Sequence, residues 1–454
     1  MQSDLLPRSR PWGPILLTSA LVAGLAACDD DTVTPPAMAT FTVAIENVST
    51  AYDYPASGVF NTPVGAMDPA PIGPGGAYEF SFFAPPGSSL SLVTMFVPSN
   101  DFFYAPGPEG IDLWDAMGDP VSGDVTDQIA LWDAGTEVNQ EPGEGEDQVQ
   151  RQSGPDTGVD DPNSDVRNAP DDFGNLPAVA DVIEVTITPG AGNEFTVRVE
   201  NVSTATTLST STGGMQPVPL SPGAWVVHNT DGPLFTPGEA DAGDGLEAIA
   251  ENGDPSGLGG VLDGMTGLTV PLSPGVFAVH SMADPLFTEG EPDRGDGLEA
   301  IAEDGDPSSL AAALAADGEI AASGAFNTPV GAAGPGPLLP GGSYEFTFEA
   351  SEGESLSFAT MFVASNDLFY APDGAGISLF SGGSPVSGDV TGQILLWDAG
   401  TEVNERPGVG DDQVMFQSGP DTGPDENGDV VEVDDGYTYP STASIIRVTL
   451  TPGS

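Results

Sequence analysis

The chain has 454 residues, and its 69 Asp and Glu against 8 Lys and Arg give a formal net charge of −61 at pH 7. All eight cations are arginine, so no basic patch is available to neutralise phosphates, which excludes nucleic-acid binding and electrostatic docking on anionic lipid. The 60 Gly and 44 Pro favour short strands joined by many turns, and the length allows about two to four domains. An acid excess of this size is typical of a solvated surface suited to high salt, or of a chain that recruits divalent cations.

Residues 1–27 have the features of a lipoprotein signal peptide. Arg8 and Arg10 precede an apolar run that is too short to span a bilayer, and the segment ends in Leu25-Ala26-Ala27-Cys28. This ending matches a bacterial lipobox, in which the Cys28 thiol takes the diacylglycerol. Residues 28–39 are acidic and Pro-rich, as in a tether. We therefore expect an exported protein, lipid-anchored to the bacterial cell envelope on its extracellular or periplasmic face, that contacts membrane through this anchor only.

Cys28 is the only cysteine in the chain. No internal disulfide can form, so bound metal is the natural alternative for stabilising an exported fold.

An outer duplication divides the remaining sequence into two copies of one domain, residues 40–190 and 194–454. The repeated segments keep their order and much of their spacing. They are FTVAIENVST (Phe41–Thr50) and FTVRVENVST (Phe195–Thr204), ASGVFNTPVG (Ala56–Gly65) and ASGAFNTPVG (Ala322–Gly331), TMFVPSNDFFYAP (Thr94–Pro106) and TMFVASNDLFYAP (Thr360–Pro372), LWDAGTEVN (Leu131–Asn139 and Leu396–Asn404), and QSGPDTG (Gln152–Gly158 and Gln417–Gly423).

The second copy is longer because an insert occupies about residues 205–320. The insert is itself duplicated, since residues 218–258 align without a gap to residues 270–310.

The hydrophobic pattern predicts secondary structure of mainly β type. Apolar and polar residues alternate in segments such as Phe41–Glu46, which is the period of a half-buried strand. Helical spacing is confined to Gly245–Asn252 and Gly297–Ala316, where Asp296 is placed to cap the first turn. The expected fold is a pair of tandem antiparallel β-sandwich domains with short helices in the insert of the second copy.

A repeated set of carboxylates follows the apolar strands and is the strongest candidate site. Crowded carboxylates repel one another unless a cation lies between them. Ca²⁺ takes six to eight oxygen ligands and suits such loops, whereas Zn²⁺ prefers the Cys and His side chains that this chain nearly lacks. The alternative is that the aspartates only cap turns. The predicted calcium ligands, up to one ion per domain, are Asp101, Asp133 and Glu137 in the first copy and Asp367, Asp398 and Glu402 in the second.

The PSNDFF and WDAGTE segments resemble the SPDW and DAGTD segments of the spondin domain of F-spondin and mindin. This resemblance implies an antiparallel β-sandwich, an extracellular adhesion or matrix role, and a calcium ion held by the acidic residues of the two segments. Two differences stand out. Glu137 and Glu402 occupy the position of an Asp, and Phe102 and Leu368 occupy the position of a Trp.

Other candidate sites are weaker. His228 and His280 fall at equivalent positions and are expected to close loop hydrogen bonds rather than act as catalytic bases. The acidic segments Asp160–Asp165 and Asp425–Asp429 could offer extra weak calcium loops, but they lack a terminal bidentate Glu at the right distance and are expected to be solvated turns. No GxSxG, HExxH or Walker sequence is present.

The combined prediction is a non-enzymatic, calcium-binding surface module that binds a cell-surface carbohydrate or protein ligand. Two alternatives stay open. One is a secreted polysaccharide-active hydrolase with a carboxylate pair in the inner repeat, tested at Glu247 and Glu299. The other is a passive structural spacer on the cell surface.

Overall fold

The computed structural model describes residues 37–453. Strands make up 35% of the protein and helices 12%, in several antiparallel sheets, which confirms the predicted mainly β class. None of the helices within this range has the length and apolar content needed to cross a bilayer. The predicted signal peptide, Cys28 and most of the predicted tether lie outside the described residues. Met38 and Ala39, assigned to the tether by the sequence pattern, are the first residues of a strand.

Short turns join most of the elements, and longer loops follow β8, β14, β15 and β24. The strands up to residue 228 are β1 (Met38–Asn47), β2 (Ala56–Phe60), β3 (Ala77–Phe83), β4 (Ser89–Phe96), β5 (Phe102–Pro106), β6 (Ile111–Asp112), β7 (Gly123–Asp124), β8 (Ile129–Asp133), β9 (Arg167–Asn168), β10 (Ile183–Pro189), β11 (Glu194–Asn201), β12 (Leu208–Ser209), β13 (Met215–Gln216) and β14 (Leu220–His228). The later strands are β15 (Leu272–His280), β16 (Ile320–Phe326), β17 (Ser343–Ser351), β18 (Ser355–Phe362), β19 (Leu368–Pro372), β20 (Ile377–Ser378), β21 (Phe380–Ser381), β22 (Ser384–Pro385), β23 (Gly388–Asp389), β24 (Ile394–Asp398), β25 (Val431–Glu432) and β26 (Ile446–Pro452). The α-helices are α1 (Leu246–Asn252), α2 (Ser256–Met265), α3 (Leu298–Asp304), α4 (Ser308–Ala316) and α5 (Thr442–Ile445), and short 3-10 turns cover Thr126–Gln128, Val179–Asp181, Ala191–Asn193 and Thr391–Gln393.

The strands form two sandwiches of the same three-layer design. In one, the four-stranded sheet β3-β11-β10-β7 packs on a seven-stranded sheet of order β2-β14-β4-β5-β8-β9, with β6 beside β4. Helices α1 and α2 cover the other face of the larger sheet. In the second sandwich the equivalent sheets are β17-β1-β26-β23 and β16-β15-β18-β19-β24-β25, with β20 beside β18, and the covering helices are α3 and α4.

The chain does not build these sandwiches one after the other. Strand β1 lies between β17 and β26, which are near the C-terminal end, and β11 lies between β3 and β10. Residues 52–266 therefore form one sandwich, called the inner sandwich, and residues 38–50 with 268–453 form the outer sandwich. The two segments in which the chain passes from one sandwich to the other lie side by side. Tyr54 and Thr266 form a parallel bridge there, and the Gly267 amide donates to the Tyr54 carbonyl at 3.0 Å.

This strand pairing crosses the division at residues 190 and 194 that the repeats predict. It also separates the two halves of the predicted insert, because β14, α1 and α2 belong to the inner sandwich and β15, α3 and α4 to the outer. The buried asparagine at the end of each repeated strand contacts the sandwich to which that strand belongs. The Asn47 side chain donates to the carbonyls of Val270 at 2.8 Å and Leu338 at 2.9 Å, whereas Asn201 makes the corresponding contacts within the inner sandwich.

The helices agree with the sequence pattern in place and differ in detail. The predicted helix over Gly297–Ala316 is two helices, because α3 ends at Asp304 and the next residue, Gly305, has a left-handed φ of 67°. The predicted capping role of Asp296 is wrong. Gly297, with a φ of 115°, is the residue before the first turn, and no side chain caps it. Helix α2 carries too many glycines to stand out in the sequence.

Candidate functional site

Antiparallel strand pairing brings the predicted aspartates together at one end of each larger sheet. Phe102, the residue after Asp101, pairs with Asp133 across β5 and β8. In the outer sandwich Leu368, the residue after Asp367, pairs with Asp398 across β19 and β24. The prediction that these two aspartates would share one end of the sandwich therefore agrees with the register.

In the outer sandwich a third carboxylate joins the aspartates. Asp367, Asp398 and Glu426 each offer an oxygen, and these oxygens lie within 4.8 Å of one another. We call them the outer aspartate cluster. Asp367 is 0% exposed, and its Oδ2 accepts hydrogen bonds from the amides of Thr401 and Glu402 at 3.1 Å. Its Oδ1 is buried and has no hydrogen-bond partner. Glu426 lies in the segment Asp425–Asp429, for which the sequence favoured a solvated turn over a weak calcium loop.

The inner sandwich has an arginine at this place. Asp101 is held as Asp367 is, by the amides of Thr136 and Glu137 at 3.1 Å. Arg167, however, lies 2.7 Å from Oδ2 of Asp133 and 2.6 Å from Asp161. In the outer sandwich the position paired with Asp398 is Val431, whereas Asp133 pairs with Arg167. In the inner aspartate cluster, Asp101, Asp133 and Asp161, Arg167 thus pairs with two of the three carboxylates, while the buried Oδ1 of Asp101 has no hydrogen-bond partner.

The two predicted glutamates turn away from the aspartates. The Glu137 Oε1 accepts the amide of Gly158 at 2.7 Å, and the Glu402 Oε1 accepts that of Gly423 at 2.8 Å. A Cβ at Gly158 would lie 2.2 Å from the Glu137 carboxyl carbon, so glycine is needed for this approach. The structure therefore splits each predicted ligand set into aspartates on one side and a glutamate on the other.

Each glutamate lies in a second carboxylate cluster that includes a residue from a covering helix. The inner glutamate cluster is Glu137, Asp156 and Glu251, and the outer glutamate cluster is Glu299, Glu303 and Asp421 with Glu402 alongside. The aspartates come from the repeated QSGPDTG segment, where Asp156 and Asp421 have left-handed φ angles of 51° and 54°. The sequence analysis named Glu299 only for the hydrolase alternative and missed Glu251 and Glu303, although GLEAIAE recurs unchanged in the two halves of the insert.

Burial raises the pKa of most of these carboxyl groups. Loss of solvent, with repulsion from Asp398, raises the pKa of Asp367 to about 8. Burial raises the pKa of Glu251 to about 7 and that of Glu303 to about 8, and the neighbouring Glu137 and Glu402 act in the same direction. A raised pKa favours the protonated form of each group near neutral pH, unless a bound cation replaces the proton.

The remaining sequence candidates have structural settings of their own. Nδ1 of His228 contacts the Thr230 carbonyl at 2.7 Å and Nε2 contacts Ser91 Oγ at 2.9 Å, and His280 repeats this pattern, which confirms the predicted loop hydrogen bonds. Burial lowers the pKa of both imidazoles. Glu299 belongs to the outer glutamate cluster, and Glu247 lines an open cleft with Asp156 and Glu251.

No protein-family model matches this chain, and no curated protein matches it.

Proposed function

We propose that this protein is an exported, calcium-binding β-sandwich protein that presents its loops to a carbohydrate or protein ligand at the cell surface. The observation that carries the proposal is the outer aspartate cluster. Its Asp367 Oδ1 is fully buried, has no donor, and belongs to a residue grouped with two other carboxylates. Leaving a buried carboxylate oxygen unpaired costs about 1–3 kcal/mol or more, which a bound cation would offset.

The donor set fits a hard divalent cation. Asp367, Asp398 and Glu426 would hold the ion through carboxylate oxygens, the ligands that Ca²⁺ prefers. When bound, Ca²⁺ would supply the positive charge that Arg167 supplies in the inner aspartate cluster. The side chains already hold part of this arrangement, because Oδ1 of Asp398 accepts the Gly400 amide at 2.7 Å.

Anchoring and adhesion are proposals that rest on the sequence. The lipobox at Cys28 supports a lipid anchor in the bacterial envelope, and the PSNDFF and WDAGTE segments support a spondin-like adhesion role. Most of the polar residues recur in both sandwiches, which favours a binding or structural module over an active site with differentiated residues.

Calcium binding is tested by calorimetric titration and thermal melting of the chain lacking its signal peptide. A ligand that binds only the folded state adds about 2.7 kcal/mol at a hundredfold excess over Kd, so EGTA should lower the melting temperature. The pair Asp367→Asn with Asp398→Asn should abolish one binding event, while the matched control Asp425→Asn with Asp429→Asn, two exposed acids of the neighbouring loop, should not. An unchanged melting curve after exhaustive chelation would remove the metal proposal.

The ligand-binding part needs a separate experiment. Binding of fluorescent protein to glycan arrays and to bacterial surfaces, with calcium and with EGTA, should show calcium-dependent capture; equal capture in both conditions would contradict the role of the ion. A polysaccharide substrate panel tests the hydrolase alternative, since turnover that is lost in Glu247→Gln or Glu299→Gln would replace the binding proposal with an enzymatic one.

A further inference from the structure

The inner glutamate cluster contains a buried carboxylate that nothing in the structure satisfies. Glu251, near the end of α1, is 1% exposed, and neither of its carboxylate oxygens has a hydrogen-bond partner. The Oε2 of Glu137 is likewise buried without a partner. Within residues 37–453 Glu251 takes part in no ion pair. Two buried carboxylates facing each other need a shared proton or a cation between them.

The geometry suits a cation. The contributing oxygens of Glu137, Asp156 and Glu251 lie within 4.8 Å of one another. Because Ca²⁺ binds oxygen at about 2.3–2.6 Å, a single ion can bridge oxygens up to about 5 Å apart. The cluster is also reachable from solvent, since Asp156 and Glu251 line an open cleft. Glu251 therefore points into a space that one ion could fill while water completes its coordination.

The outer sandwich repeats the arrangement with its own residues. Glu303 of α3 is buried, and its carboxylate lies within the same 4.8 Å limit of those of Glu299 and Asp421. Glu402 lies alongside with an unpartnered Oε2. Glu299 and Asp421 line an open cleft of about 530 Å³. A buried helix glutamate and the loop aspartate thus recur in both sandwiches, and the third carboxylate is Glu137 in the inner sandwich and Glu299 in the outer.

We propose that each glutamate cluster binds a calcium ion that fastens a covering helix to the loop after the WDAGTE strand. The ligands are Glu137, Asp156 and Glu251 in the inner sandwich, and Glu299, Glu303 and Asp421 in the outer. Side-chain amides already join the same parts, because Gln152 donates to Asn252 at 2.6 Å and Gln417 to Asp304 at 2.8 Å. This proposal does not rest on the calcium site at the outer aspartate cluster, with which it shares no ligand.

Binding stoichiometry of the whole chain separates the two proposals. With Arg167 filling the inner aspartate cluster, calorimetry with Ca²⁺ should give about three ions per chain. Glu251→Gln with Glu303→Gln should leave one, whereas Asp367→Asn with Asp398→Asn should leave two. Wild-type stoichiometry in the glutamine pair would overturn the glutamate-site proposal and leave the aspartate site standing. Wild-type stoichiometry in the pair Asp367→Asn with Asp398→Asn, together with two lost events in the glutamine pair, would overturn the aspartate site and leave the glutamate sites standing.

Hydrogen exchange supplies a readout that does not depend on counting ions. Calcium should slow exchange of the amides of residues 152–158 and 417–423 at least tenfold in the wild type, and should have no such effect in the glutamine pair. Gln is isosteric with a protonated Glu, so the pair should fold, and its circular dichroism spectrum and its melting temperature in EGTA check this. Equal calcium protection of these loops in both proteins would show that the glutamates hold protons and not an ion.

Discussion

Arg167 supplies the positive charge beside the buried Asp133, and its contacts determine how much stability its replacement by Met should cost. The guanidinium contacts the buried Asp133 at 2.7 Å and Asp161 at 2.6 Å, and it also donates to the carbonyls of Asn163 and Asp165. Removing one partner of a buried pair costs about 3–5 kcal/mol. Arg167 is 25% exposed, and Asp133 keeps hydrogen bonds from Gly135 and Asn139, so we expect a loss of about 2–4 kcal/mol.

Urea unfolding at pH 7.5 in EGTA measures this loss. The control is Arg447→Met, which removes a pair with Glu46 at 2.7 Å whose side chains are 48% and 34% exposed. Such exposed pairs are worth about 0–1 kcal/mol. If Arg167→Met destabilises the protein no more than Arg447→Met does, the counter-charge interpretation of the inner aspartate cluster is wrong.

Added calcium and lower pH should each reduce the stability difference between Arg167→Met and the wild type. Without Arg167 the inner aspartate cluster resembles the outer one, so calcium should restore part of the lost stability and one more ion should bind. Burial raises the pKa of Asp133, and Arg167 opposes that shift. The variant's Asp133 therefore takes up a proton more readily, and the stability gap between variant and wild type should narrow as pH falls.

Three further predictions test the charge, the strand order and the packing. In EGTA the melting temperature should rise as pH falls from 8.5 to 6.5, because the folded-state pKa of Glu303, about 8, lies above its unfolded value of about 4.3. Saturating calcium should flatten this pH dependence. A melting temperature that falls over the same pH range in EGTA would contradict the prediction. Thr42→Cys with Thr451→Cys should cross-link on oxidation, because these residues are paired across β1 and β26, whereas Thr42→Cys with Thr188→Cys should not, because Thr188 is paired with Thr196 in the inner sandwich. Gly223→Ala should cost about 3 kcal/mol, because its Cβ would meet the Val93 carbonyl at 2.0 Å, while Gly260→Ala in α2, with open space around it, should be neutral or stabilising in the same urea assay.

The sequence by itself determined the local features of this protein. Period-two alternation and dense Gly and Pro predict the strands and turns, since these depend on neighbouring residues only. The duplicated motifs identify Asp101, Asp133 and their counterparts as a pair at the end of adjacent strands, and the register confirms that proximity. The same reasoning extends to the helices, where spacing located α1 and α3 but not their caps.

Only the tertiary structure decided which copy each repeated strand joins. FTVAIENVST and FTVRVENVST have the same apolar face and the same terminal asparagine, so local pattern cannot distinguish their partners. The composition of the carboxylate clusters was hidden for the same reason. Glu251 and Glu303 reach Glu137 and Glu402 only because their helices pack on the larger sheets. The exchange of Arg167 for Val431 changes the charge of a site only because each of these residues is paired with a buried aspartate. Contacts between residues far apart in the chain depend on packing, which neither composition nor spacing records.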